Sequence, residues 1–197
     1  MCFHDDIILE IFNMPLAEEE LYTMYPFLEE YRSYVESNYK ASSRRKEILS
    51  EKVLLRKLFP SGNVVLKHND DGMPMLSNDM NISISHTRNH IAMMLSKERR
   101  VALDIEHISD RVKKVARMYL REDEAFTEVT DMLVAWCAKE TMYKLYSSQN
   151  LSFEEIRLHP YHAEIEGTVN ADNLRTGDTV RLLYQVTDEY VLTTACL

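Results

Sequence analysis

The spacing of apolar residues predicts short strands and three helices. Runs rich in β-branched residues predict strands at residues 7–11, 64–67, 80–85, 91–95 and 101–105. Leu49, Val53 and Leu58 recur at helical spacing, so an amphipathic helix should end before the turn at residues 60–63. Further helices are predicted at 110–120 and 131–146. They are followed by strands at 154–158, 162–165, 180–186 and 190–195.

This order of strand, helices and strands occurs twice along the chain, although no sequence repeat of fixed period is visible. We therefore predict an α+β fold of two similar lobes, a pseudo-dimer in which each lobe is a small antiparallel sheet packed with helices. The lobes should meet near residue 100, with an N-terminal lobe at 1–99 and a C-terminal lobe at 100–197.

Composition narrows the classes of function. With 45% hydrophobic and 28% charged residues among 197, the chain should fold rather than remain disordered. Its net charge of −9 disfavours unspecific binding to nucleic acid or to anionic membranes. No run approaches the roughly 18 apolar residues of a membrane span. We predict neither a nucleic-acid nor a membrane partner.

Cysteine usage and the N-terminus bear on location. Cys2, Cys137 and Cys196 are an odd number without short spacing, so they predict free thiols rather than disulfides or a zinc site. Residues 1–6 have no basic start and no long apolar stretch, which predicts the absence of a signal peptide. Both observations favour the cytoplasm.

Asp104-Ile105-Glu106 is the first motif with possible chemistry. On a strand, Asp104 and Glu106 share one face. Two neighbouring carboxylates repel each other unless a proton or a cation lies between them, and Mg²⁺ favours oxygen ligands. The same motif is also common at a solvated strand edge. Taken alone, it leaves both interpretations open.

Two further segments carry polar groups in a suggestive pattern. One face of the predicted helix carries Trp136, Glu140 and Lys144. Glu140 could be a metal ligand or a base and Lys144 a phosphate contact. Alternatively, the tryptophan belongs to the core and the other two form an ordinary surface pair. Ser85 lies on a predicted strand and His86 at its exit, where both could bind a phosphate. A lone loop histidine is more often plain surface.

The three motifs together, Ser-His, Asp-x-Glu and Trp-x-x-Lys-Glu-x-x-x-Lys, occur in an order that resembles one family. They are similar to the 4′-phosphopantetheinyl transferases of the two-lobed, surfactin-synthetase-activating type. Arg45 with Glu47 and Leu49 resembles the family's basic helix, and Gly72-Met73-Pro74 its Gly-Lys-Pro turn. The resemblance extends from about residue 40 to about residue 160.

This resemblance implies transfer of the 4′-phosphopantetheine group from coenzyme A to a serine of an apo acyl or peptidyl carrier protein. The expected cofactor is Mg²⁺, bound with coenzyme A in the cleft between the lobes. The chain's length suggests a monomer.

The resemblance also assigns roles to individual residues. The implied magnesium ligands are Asp104, Glu106 and Glu140. The implied coenzyme A contacts are Arg45, Ser85, His86 and Lys144. Glu140 is the leading candidate to accept the serine proton and Lys144 to neutralise phosphate charge, so both are predicted to be catalytic.

Three departures from the family pattern leave alternatives open. Met73 replaces a lysine, Lys52 stands where an arginine is frequent, and Ala102 stands where a glycine is common before the Asp-x-Glu strand. Met73 alone points to one alternative, a non-catalytic homologue that binds coenzyme A or a carrier protein. A different magnesium enzyme acting on phosphate esters is another, although no Gly-x-x-x-x-Gly-Lys loop occurs.

Overall fold

The computed structural model describes residues 5–69 and 72–197, and within these ranges it has a mixed α+β fold. Cys2 lies outside the described residues, as do residues 70 and 71, at the centre of the turn that the polar sequence of residues 69–72 predicts. The strands are β1 Ile7–Asn13, β2 Leu66–His68, β3 Pro74–Leu76, β4 Asn81–Thr87, β5 His90–Ser96, β6 Val101–His107, β7 Ile156–Leu158, β8 Glu166–Asn173, β9 Asp178–Val186 and β10 Tyr190–Cys196. The α-helices are α1 Glu18–Met24, α2 Arg32–Asn38, α3 Ser42–Leu58, α4 Arg111–Tyr119 and α5 Val129–Leu145, with short 3-10 helices at Pro26–Tyr31, Ser147–Gln149 and Phe153–Glu155.

One predicted strand is wrong. Residues 162–165 are not a strand, because the Asp131 carboxylate at the start of α5 accepts the Ala163 backbone N–H at 2.7 Å. The strand begins instead at Glu166, in a polar segment whose buried positions include Val169. A Cβ atom on Gly167 would lie 2.5 Å from the Tyr184 hydroxyl, because the ring of this cross-strand partner on β9 lies over Gly167, so the position favours glycine.

The strands form three antiparallel sheets. The first has the order β1-β5-β4, the second the order β6-β10-β9-β8-β7, and β2 pairs with β3 in a small ribbon. In both larger sheets a hairpin, β4–β5 or β9–β10, adds its second strand to a strand from earlier in the same half of the chain.

The first three strands of the second sheet repeat the pairing of the first sheet. Asn13 pairs with His90, and six residues earlier Ile7 pairs with Ser96. In the second sheet His107 pairs with Tyr190, and Val101 pairs with Cys196. The long helices α3 and α5 both have 17 residues. Order, register and helix length in one half thus recur in the other.

The two sheets pack against each other through an apolar layer. Leu103 and Ile105 of β6 are fully buried in a cluster with Ala92 and Met94 of β5. Because side chains alternate along a strand, this packing turns Asp104 and Glu106 to the opposite face, where α5 lies. Each fully buried leucine or isoleucine contributes about 1.5–3 kcal/mol, so the register of β6 is firmly set.

Hydroxyl groups join β4 to β6 along the edge between the two sheets. Ser83 Oγ accepts the Leu103 backbone N–H at 3.0 Å, and Thr87 Oγ1 accepts that of His107 at 2.9 Å. These bonds hold β4 beside the segment that carries the two acidic residues.

None of the helices in the described ranges is both long and apolar enough to cross a bilayer.

Candidate active site

Asp104 lies at the centre of the candidate site and is buried. Its Oδ1 accepts hydrogen bonds from Ser85 Oγ at 2.7 Å and from Lys144 Nζ at 2.8 Å. Its Oδ2 is buried and has no hydrogen-bond partner among the residues that the structure describes. A buried carboxylate oxygen without a donor is costly, so this atom would gain from a proton or a cation.

Two more carboxylates lie close enough to repel Asp104. Burial raises the pKa of Glu140 to about 7, and the negative charge of Asp104 adds to the increase. Burial followed by repulsion from Asp104 also raises the pKa of Glu106. In the part of the chain that the structure describes, the Glu140 carboxylate accepts no hydrogen bond.

These carboxylates fit a hard divalent cation by their chemistry. All three offer oxygen ligands, their charges repel one another, and Asp104 Oδ2 lacks a partner. In residues 5–69 and 72–197, however, no three acidic, histidine or cysteine side chains form a group arranged as metal ligands. Binding of a cation by Asp104, Glu106 and Glu140 would therefore require their side chains to rotate towards it.

Lys144 pairs with the acidic cluster. Its ammonium group also donates to the Leu103 carbonyl at 3.0 Å, and its side chain is 28% exposed. The Ser85 hydroxyl, predicted to contact a phosphate, is likewise engaged with Asp104. The structure thus brings Ser85 and Lys144 to Asp104, whereas their contacts with phosphate and the metal-binding role of the carboxylates stay predictions.

His86 faces the opposite side of β4 and meets the first part of α3. Its Nδ1 lies 3.4 Å from Glu47 Oε1, and its Nε2 lies 3.4 Å from Arg44 Nη1. Burial lowers the pKa of His86. Arg44 is half-buried beside this ring and also donates to Glu47 Oε2 at 2.8 Å.

The structure does not bring Arg45 to the carboxylates. Its guanidinium donates to Glu18 at 2.8 Å and to the Tyr39 and Lys40 carbonyls at 3.0 Å, which ties α3 to α1. Arg44 is the cation that α3 places beside His86, and sequence analysis missed it. Adjacent helix residues point about 100° apart, so the choice between them depends on a rotation that the sequence pattern did not resolve.

Trp136 orients one carboxylate. Its indole Nε1 donates to Glu106 Oε1 at 3.1 Å. Its ring packs edge to face against the Tyr119 ring, with 5.1 Å between the ring centroids. Thr87 Oγ1 lies 3.5 Å from the other Glu106 oxygen. Trp136 is therefore a packing residue that also positions Glu106.

Met73 lies near the C-terminal end of α5. Its sulfur accepts a hydrogen bond from Ser147 Oγ at 3.2 Å, and the side chain is 41% exposed. Ser147 follows Lys144 by three residues, so the turn before β3 contacts the chain just beyond the end of α5 that carries Lys144.

Comparison with known proteins gives one informative relative. No protein-family model matches the chain. The 4′-phosphopantetheinyl transferase gsp of Aneurinibacillus migulanus is 28% identical over 107 residues, which cover 50% of this chain and 45% of the relative. The match therefore spans less than half of that relative's length. The predicted resemblance to the 4′-phosphopantetheinyl transferase superfamily is confirmed by this similarity.

Proposed function

We propose that the chain transfers the 4′-phosphopantetheine group of coenzyme A to a serine of an apo acyl or peptidyl carrier protein, with Mg²⁺ as cofactor. The observation that carries this proposal is the group of three mutually repelling carboxylates beside Lys144, with one buried oxygen of Asp104 unpartnered. The similarity to the Aneurinibacillus transferase supports it.

We further propose that the repeated strand order marks two similar lobes, at 1–99 and 100–197, with the active site in the cleft between them. Ser85 and His86 come from the first lobe, while Asp104, Glu140 and Lys144 come from the second. In this proposal the chain acts as a monomer in the cytoplasm.

The proposed reaction needs no covalent enzyme intermediate. The serine oxygen bonds to the β-phosphorus of coenzyme A, the bond to the bridging oxygen breaks, and adenosine 3′,5′-bisphosphate leaves. Mg²⁺ held by Asp104, Glu106 and Glu140 would offset charge on the pyrophosphate. Glu140 accepts the serine proton, directly or through water.

Cations near the cleft would bind the phosphates. Lys144 can exchange its hydrogen bond to Asp104 for one to a phosphate, because its ammonium group remains partly exposed. Arg44 is the second cation, from the first half of the chain, and the His86 ring lies beside it as a further hydrogen-bonding group. Arg45 is replaced by Arg44 in this proposal.

The proposal is tested by following both products together. The chain, coenzyme A and magnesium are incubated with several apo carrier proteins, and adenosine 3′,5′-bisphosphate is quantified by chromatography. Equal amounts of bisphosphate and modified carrier are expected. Bisphosphate released without a carrier would indicate the alternative phosphate-ester enzyme, and no product with any carrier would favour the non-catalytic homologue.

A basic strip on α4 is the proposed docking surface for the acidic carrier. Arg111, Lys113, Lys114 and Arg117 are exposed, whereas Arg121 is engaged with Asp123 and Glu154. Since the chain as a whole carries a net charge of −9, attraction of an acidic partner has to be local.

Reversing the charge of Lys113 and Arg117 to Glu is expected to raise KM for the carrier about tenfold at low salt, because both attractive charges become repulsive. KM for coenzyme A should not change. The matched control is Lys97→Glu with Arg181→Glu, two exposed cations elsewhere. An equal rise in the control would exclude α4 as the docking surface.

Met73→Lys is expected to tighten coenzyme A binding. A hydrogen bond to a charged group contributes about 1.5–3 kcal/mol, which is about ten- to a hundredfold in affinity. Calorimetry at two salt concentrations measures the effect, which should shrink as salt screens the new charge. The neighbouring Met75→Lys, also exposed, is the control. A neutral Met73→Lys would show that the turn does not reach the ligand.

A further inference from the structure

The repeated register allows the acidic site to be mapped onto the first half of the chain. Counted from the terminal pairs Asn13–His90 and His107–Tyr190, Glu10 of β1 takes the place of Asp104. By the same count Phe12 takes the place of Glu106.

The helices correspond in the same way. The twelfth residue of α3 is Val53, and the twelfth of α5 is Glu140. The sixteenth residues are Lys57 and Lys144. The first half therefore has apolar side chains in place of two of the three carboxylates.

The ion pair of the acidic site is retained at the mapped position. Lys57 Nζ lies 2.5 Å from Glu10 Oε2, as Lys144 Nζ lies 2.8 Å from Asp104 Oδ1. What the first half has lost is the excess of negative charge that suits a metal ion.

A cavity of about 350 Å³ occupies this mapped position. Val53 and Leu54 form a buried floor. The walls are half-buried aromatic rings that meet edge to face. The ring centroids of Phe12 and Tyr25 are 5.9 Å apart, and those of Tyr25 and Phe27 are 6.4 Å apart. A volume of this order is at the lower end of the range of about 300–1,000 Å³ that small-molecule sites occupy.

Arg56 gives the opening of the cavity a positive charge. Its exposed guanidinium lies 5.7 Å from the centre of the Phe27 ring, and it forms no ion pair with any residue in the described ranges. The adjacent Lys57 is already neutralised by Glu10. The opening therefore offers a cation that can bind an anion, above aromatic walls that an apolar chain can pack against.

We propose that this cavity binds a medium-chain carboxylate, with the alkyl chain on the aromatic walls and the carboxylate on Arg56. The inference goes beyond the proposed transfer reaction, since none of the residues that line the cavity belongs to the acidic site.

Calorimetric titration of the full chain with decanoate tests this site. We expect saturable binding of one decanoate per chain. Octanoate should bind up to about fifteenfold more weakly, because each buried methylene is worth about fourfold in affinity. Decanol, which lacks the negative charge, should bind at least about tenfold more weakly than decanoate.

The exposed Arg56→Gln provides the site-specific arm. It should weaken decanoate binding about tenfold or more, whereas Arg181→Gln, at a second cavity, should leave it unchanged. Saturating coenzyme A should not displace decanoate. Absence of saturable binding, equal affinity for octanoate, displacement by coenzyme A, or weakening by Arg181→Gln instead would each overturn the proposal.

Discussion

Glu140→Gln is expected to abolish transfer while making the metal-free protein more stable. Loss of the charged carboxylate should lower kcat/KM for the carrier at least about a thousandfold, which corresponds to about 4 kcal/mol of transition-state stabilisation. In chelator, the same change removes a half-buried negative charge that Asp104 and Glu106 repel. The free energy of unfolding should then rise by about 1 kcal/mol.

Thermal unfolding with and without magnesium measures the second effect. Magnesium should raise the melting temperature of the wild type, because a ligand that binds only the folded state stabilises it, and should raise that of Glu140→Gln much less. Glu122→Gln removes an exposed carboxylate and is the control. If Glu140→Gln stayed fully active, or responded to magnesium like the wild type, the carboxylates would not be the metal ligands.

Asp104→Ala should be equally inactive. Because it also leaves Lys144 and Ser85 without their shared acceptor, it should lower stability, in contrast to Glu140→Gln. If Asp104→Ala lowers stability and Glu140→Gln raises it while both abolish transfer, the loss of activity cannot be explained by a loss of folded protein.

Lys139→Met is expected to have the largest effect on stability in the second half. Lys139 Nζ lies 2.7 Å from Glu124 Oε2, and both side chains are at most 1% exposed. Removing one member of a buried ion pair costs about 3–5 kcal/mol, since the remaining charge is left uncompensated. Glu124 also accepts the backbone N–H groups of Leu158 and Arg121, so it cannot turn to solvent.

Urea unfolding measures this loss, with the exposed Lys97→Met as a control that should change stability by less than about 0.5 kcal/mol. Transfer activity per folded molecule should be retained, because Lys139 is directed at Glu124 and the Phe153 carbonyl rather than at Asp104. Loss of activity without loss of stability would assign Lys139 to the chemistry instead.

The sequence predicted those elements whose apolar pattern is strong. The strands β1, β5 and β6 and the helix α5 were found within two residues at each end, because buried faces dictate their periodicity. Strand β8 was missed because most of its side chains are polar and it shows no apolar alternation. Its position depends on pairing with β9. Such long-range pairing is not visible in local composition.

The candidate site followed the same rule. Asp104 and Glu106 could be placed together because alternation along one strand fixes their shared face. The sequence could not predict that Arg44 rather than Arg45 lies beside His86, or that Lys139 pairs with Glu124. Both contacts depend on how the helices are rotated against distant elements. The mapped cavity of the first half was also hidden, because it became visible only through the identical strand register of the two sheets.

The intact mass of an apo carrier protein, measured after incubation with the chain, coenzyme A and magnesium, tests the proposed transfer reaction. We expect the carrier to gain the mass of one phosphopantetheine group on a serine, and we expect omission of magnesium or use of Glu140→Gln to prevent this gain. The same gain with Glu140→Gln in chelator would exclude the proposed role of the carboxylates, and unchanged mass for every apo carrier protein tried with the wild type would exclude the transfer reaction.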